Sequence, residues 1–98
     1  MDLDKLLSSI ATRIKYIANN AQSSFVVKEA GIVDKKLDDV RNRVIKTPEL
    51  LNQVCDKIIS VDIYNMRHVL GETNMVYKKV DELEAYIVDL KAAYFNQN

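Results

Sequence analysis

His68 is the only histidine and Cys55 the only cysteine in the 98 residues. A zinc site, a Cys-His nucleophile or a Ser-His-Asp triad would therefore rest on His68 or draw on a second chain. Cys55 and His68 are thirteen residues apart on one expected helix. At 1.5 Å per residue that is ~20 Å, too far for the two side chains to meet in a straight helix. A lone cysteine also forms no intramolecular disulfide, which points to a reducing compartment. Cys55 reads as a small buried hydrophobe and His68 as an ordinary polar-face residue. The acidic clusters Asp38-Asp39 and Asp81-Glu82-Glu84 have Lys or Arg at helical neighbour spacing, as a solvated helix surface does, and match neither Glu-x-x-His nor a calcium loop. Gly31 and Gly71 stand forty residues apart, so no glycine-rich phosphate loop is present. The expectation is a protein that is not an enzyme and that uses no cofactor or metal.

Basic residues give the next chemistry to weigh. Lys28, Lys35, Lys36, Arg41, Arg43 and Lys46 form a series on one expected helix, but Glu29, Asp34, Asp38 and Asp39 dilute its field. A helix-turn-helix wants a small residue and then a turn glycine about four residues later, whereas Ala30 and Gly31 are adjacent. The whole chain has 14 Lys or Arg and 14 Asp or Glu. Residues 1–47 carry a net +3 and residues 48–98 a net −3, so the halves attract one another or a neighbouring copy. Nucleic acid is not the expected partner. It survives in the alternative reading: a small regulator or inhibitor that binds a nucleic-acid enzyme, or the nucleic acid, through the basic second helix.

The elements that hold these residues are all helical. Only two Gly and one Pro occur, too few for the turns of a β-sandwich or barrel, and 48% apolar with 29% charged residues suits a chain that folds. No apolar run approaches the ~20 residues of a membrane span, and Met1-Asp2-Leu3-Asp4 has no basic or apolar leader character. No membrane association and a cytoplasmic location, or the cytoplasm of a host cell, are expected. Leu3, Leu7, Ile10, Ile14 and Ile17 make one stripe of a helix over 3–19. Val26, Ala30, Val33, Leu37, Val40 and Val44 repeat that spacing over 25–46, with Gly31 and Val26-Val27 weakening the first turns so that the firm helix starts near Ile32. Thr47-Pro48-Glu49 supplies a cap, a first-turn proline and an acidic residue at a helix start. In the helix over 48–70, Leu51, Val54, Ile58 and Val61 form one stripe, and Cys55, Ile59, Ile63, Met66 and Leu70 form another beside it. Two readings stay open at Gly71: a C′ glycine that separates this helix from a last one over 74–95, or a continuous rod in the register Val69, Thr73, Val76, Val80, Leu83. Phe95 to Asn98 are expected to fray. The fold class is thus all-α, a small single-domain bundle of three long or four shorter helices with coiled-coil-like heptad stripes.

The heptads also bear on association. Val80 and Ile87 fall at a, with Leu83 and Leu90 at d, the composition that favours a parallel two-stranded coil. Helix 1, with Leu7 and Ile14 at a and Ile10 and Ile17 at d, leans instead to three or four strands or to burial in a bundle. The expected interface is Val76, Val80, Leu83, Tyr86, Ile87, Leu90 and Tyr94, in a homo-oligomer (dimer or trimer) that also engages a protein partner. Tyr86 and Tyr94 with Phe95 are the preferred contacts because tyrosine suits surfaces that are apolar and wet together. The competing arrangement packs the same stripes inside one monomer, since three heptads do not separate a 3.5 from a 3.6 period. The expected function is a non-enzymatic helical interaction or assembly component. Residues Leu7 to Lys15 are similar to helical segments near the start of some phage tail-fibre and neck proteins, which implies a structural or assembly role. That similarity covers nine residues and contains no chemical motif.

Overall fold

A computed structural model describes residues 2–96. Its elements are α1 (Leu3–Asn20), α2 (Ser24–Lys36), a single turn α3 (Asp38–Arg41), α4 (Pro48–Lys57), a π-helical segment (Ile58–Ile63), α5 (Tyr64–Val69) and α6 (Met75–Ala93). The fold is all-α, with no strand among the described residues. α4, the π segment and α5 follow one another without a gap, so the architecture is an up-and-down bundle of α1, α2, this composite rod and α6, measuring 40 × 21 × 19 Å. α1 packs most extensively on α6 and on α2.

Local chemistry explains most of the helix starts. Asp2, Ser23, Thr47 and Asn74 each accept a hydrogen bond from a backbone N–H of the first turn that follows, at 2.8 to 3.4 Å. Pro48 occupies the first turn of α4, where its missing N–H is harmless, and Glu49 complements the positive helix end. Each helix then buries an apolar stripe. In α1 the buried residues are Leu3, Leu6, Ile10, Ile14 and Ile17, with Leu6 rather than Leu7 in the fully buried place. In α6 they are Val76, Val80, Leu83, Ile87 and Leu90.

Helix boundaries differ from the expectation in two places, and at Gly71 the broken arrangement is the one observed. α2 is regular from Ser24 rather than from Ile32, because the Ser23 cap holds its first turn and Gly31 sits in the helix with open space where a Cβ would go. The helix expected to reach residue 46 bends at Leu37 and stops at Arg41. There the Val44 N–H donates to the Asp39 carbonyl and the Arg43 N–H to the Val40 carbonyl, with Arg43 left-handed at φ 59°. This is a Schellman cap, a site that normally selects glycine. Val44 is consequently turned to solvent and Ile45 inward. Finally, α5 ends at Leu70, whose backbone is extended, and Asn74 caps α6, so the chain is broken here. Gly71 is not in the left-handed region, so it is not the C′ cap, and Val69 and Thr73 are exposed rather than part of a stripe continuing into Val76.

The rod explains why its sequence carries two stripes. Burial follows Leu51, Cys55 and Ile58 up to the π segment and Ile63, Met66 and Leu70 beyond it. A π turn inserts one extra residue, which shifts every later position around the axis. Both Asp62 and Ile63 point inward across the wide turn, and Val61, a member of the first stripe in the sequence, faces out. Of the expected terminal fray, Phe95 lies in a turn with Tyr94 that the Asn96 N–H closes on the Ala93 carbonyl. Gln97 and Asn98 lie outside the described residues.

Candidate interaction surface

The seven residues expected at an intermolecular seam fall mainly inside the chain. Val76, Val80, Leu83, Ile87, Leu90 and Tyr94 are buried in the hydrophobic core, where α1 and the rod cover them. In this fold that stripe is occupied within one chain and is not open to a second copy. Tyr94 donates its hydroxyl to the Ile45 carbonyl at 3.1 Å, pinning the end of α6 to the connection before α4. Tyr86 is half-buried, with the Arg13 guanidinium 4.9 Å from its ring centre. Lys79 lies 5.5 Å over the Tyr16 ring in the same way, so Tyr86, one of the preferred contact residues, serves together with Tyr16 the α1/α6 contact.

Glu82 completes that contact, taking Arg13 Nε at 3.1 Å and Lys79 Nζ at 3.3 Å. Burial opposes its ionisation, but the hydrogen bonds from Arg13 and Lys79 outweigh it and hold the carboxyl below its ordinary value.

What α6 offers outward is its other face. Val88, Ala92 and Phe95 follow one another at i, i+4 and i+7, and all three are exposed, Val88 at 52% and Phe95 at 42%. Ion pairs joining α6 to the rod flank this line. Lys91 Nζ meets Asp56 at 2.6 Å. Toward the other end, Arg67 bridges Asp81 at 2.7 Å and Glu84 at 2.8 Å. The bond to Glu84, reinforced by Asp81, holds the Arg67 guanidinium more firmly protonated than usual, against the effect of burial. Val88 lies between Glu84 and Lys91 on its helix, so an exposed apolar residue sits between two charged clamps. A second outward group is on the rod, where Val61 and Tyr64 are both exposed, Tyr64 at 61%, and the Tyr64 ring stacks on His68 at 6.1 Å.

The residues weighed for chemistry are dispersed. Cys55 is fully buried, and burial pushes its thiol up to about 11, against the attraction of Lys91. His68 is exposed on α5. Among the described residues no three His, Cys, Asp or Glu side chains gather into a metal-holding group. In the basic series, Lys36 meets Asp62, Arg41 meets Asp34 and Asp38, and Arg43 meets Asp4, each at 2.6 to 3.0 Å. A groove of about 530 Å³ beside them mixes Lys35, Lys36 and Lys57 with Asp38 and Asp39, so it has no single sign of charge. No helix of the described residues is long and apolar enough to cross a membrane. Comparison with protein-family models, with curated proteins and with solved structures finds no match to this chain.

The sequence points to α6 and Phe95 and to the stripe that this fold buries, whereas Val88, Ala92 and Phe95 lie on the outward face of the same helix. The i, i+4, i+7 spacing of Val88, Ala92 and Phe95 was available as a signal, overshadowed by the longer stripe behind it. For Val61 the signal was the pair of adjacent stripes in the rod, which a register shift accounts for.

Proposed function

We propose that this protein is a non-enzymatic helical interaction or assembly component that self-associates and docks a protein partner through the outward face of α6. The observation that supports the reading is the Val88, Ala92, Phe95 line flanked by the Lys91/Asp56 and Arg67/Asp81/Glu84 clamps. An apolar centre with a charged rim is the usual anatomy of a protein interface. The inward stripe supports only the monomer's own packing. The alternative, a nucleic-acid regulator acting through α2, is weakened by the carboxylates that already face Lys36, Arg41 and Arg43.

Light scattering behind a sizing column, at low and high salt over a range of concentrations, tests the proposal. The expected result is a salt-resistant dimer or trimer that Val88→Glu with Phe95→Glu converts to an 11.2 kDa monomer. Tyr64→Glu, on a different face, leaves it intact. A monomer at every concentration, or an assembly indifferent to the α6 pair, overturns self-association through this face.

A further inference from the structure

α1 packs on α6 and α2, and α2 packs on the rod, so α1 with α2 make one side of the bundle and the rod with α6 the opposite one. The α1/α2 side carries a groove of about 520 Å³, whose apolar part is Ala11, Ile14 and Ala18 of α1 with Val27, Ala30 and Gly31 of α2. Ala11, Val27 and Gly31 are exposed in it. Gly31 has open space where a Cβ would stand, so a neighbour's side chain can come close to the α2 backbone there. The rim is basic. Lys15 lines the groove itself, and Lys28 and Lys35, three residues before Gly31 and four after it, share its exposed face. None of these three lysines enters an ion pair among the described residues. Asp34, the carboxylate of the lining, is held by Arg41 at 2.6 Å. The α6 face has the opposite surplus. Its clamps set the carboxylates of Asp56, Asp81 and Glu84 against only Lys91 and Arg67, and Asp89, three residues before Ala92, adds a further carboxylate that enters no ion pair.

We propose that the α1/α2 groove is the counter-surface of α6: the Val88, Ala92, Phe95 line of a second copy seats in it, with the acidic rim of that α6 against Lys15, Lys28 and Lys35. This rests on the reading that α6 serves self-association and adds which surface it meets. Charge selects the pairing. A contact of α6 with α6 brings two carboxylate-rich rims together, a like-charge juxtaposition that costs free energy, whereas the groove presents cations that have no carboxylate of their own. The same difference of sign runs through the whole chain, a net +3 in residues 1–47 and −3 in residues 48–98. Because the groove and the α6 line lie on opposite sides of the bundle, one chain does not satisfy both, and each copy gives its α6 to the groove of the next. A head-to-tail contact of this kind closes into a ring or stays open as a growing chain, while a closed two-fold dimer needs the same patch on both copies. Of the two sizes expected for the assembly, the trimer is therefore the one that closes.

Mixing two variants of the full chain tests this contact. Ala11→Glu with Gly31→Glu places carboxylates in the groove at exposed helical positions and leaves α6 intact; Val88→Glu with Phe95→Glu does the reverse. Each double variant alone is expected to scatter light as an 11.2 kDa monomer, and an equimolar mixture as a heterodimer of twice that mass, because one intact groove and one intact α6 remain to meet. A mixture that stays monomeric overturns the groove contact. If the groove variant assembles like wild type while the α6 variant does not, α6 meets itself: the groove contact is overturned and self-association through α6 stands. A wild type that is monomeric at every concentration overturns both. On the rim, Lys15→Glu with Lys28→Glu is expected to weaken wild-type assembly about tenfold at low salt and less at high salt. No change at low salt overturns the charge pairing even if the groove variant fails to fold.

Discussion

The α1/α6 contact and the α2/rod contact are built from different materials. The first joins two uninterrupted helices, five turns or so in length, through aliphatic stripes, and its charges (Arg13, Lys79, Glu82) stay at the partly exposed margin. The second places Glu29, Asp62 and Lys36 between a glycine-containing helix and a π turn. Nonpolar burial responds weakly to pH, while a buried charged cluster depends on every partner being present. One half of the bundle is therefore suited to constancy and the other to response.

The largest way to break the comparison is through the aliphatic side. Leu83→Ala opens a cavity at a fully buried position and is expected to cost about 2–5 kcal/mol, read as a lower urea midpoint with unchanged slope. An effect under 1 kcal/mol would mean that α6 is not packed as described. Next is Lys36→Met, which strands the buried Asp62 carboxylate; a loss of about 2 kcal/mol at neutral pH is expected, moderated because the Lys36 side chain is 31% exposed. If the variant is as stable as wild type, the cluster is not held by its charges. Gly31→Ala should act in the opposite direction and stabilise α2 by about 0.5–1 kcal/mol, because the backbone there is ordinary helix and the space is open. Destabilisation in thermal melts would reveal a crowded site. The smallest effect belongs to Glu82→Gln, about 0.5 kcal/mol at neutral pH for a pair at the protein margin. Since the Glu82 carboxyl is lowered below 4.5, its contribution is present above that value and fades as the pH falls through the lowered one. Melts of wild type and Glu82→Gln should converge in acid. Convergence at alkaline pH instead would reverse the assignment.

The same contrast governs what was legible in advance. The helical class and the stripes of α1 and α6 follow from apolar spacing in long regular helices, so Ile10, Ile14, Leu83 and Ile87 could be assigned to a buried face directly. Their partner could not, because a 3.6-residue stripe looks the same whether its own chain or a copy covers it. The α2 side hid more. Its helix ends at a left-handed Arg43, where sequence offers no glycine to signal the stop, and the π turn breaks the period that the reading relied on. Asp62 belongs to no apolar stripe, and Glu29 reads in the sequence only as a diluent of positive charge. Their burial depends on the inserted residue in the rod, which spacing alone does not disclose. At the α6 surface, Val88 and Phe95 were present in the sequence, yet only the fold shows that the other face is already taken.

Cys55 lies on the rod three residues before the π segment, fully shielded and with a thiol that resists ionisation. Reagents that attack thiolates reach it only during excursions in which the rod separates from its neighbours. Their rate of incorporation is therefore a built-in stopwatch for those excursions, and it needs no engineered label. In native buffer the modification half-time reports how often the molecule opens, and its dependence on reagent concentration tells whether reclosing outruns the reaction.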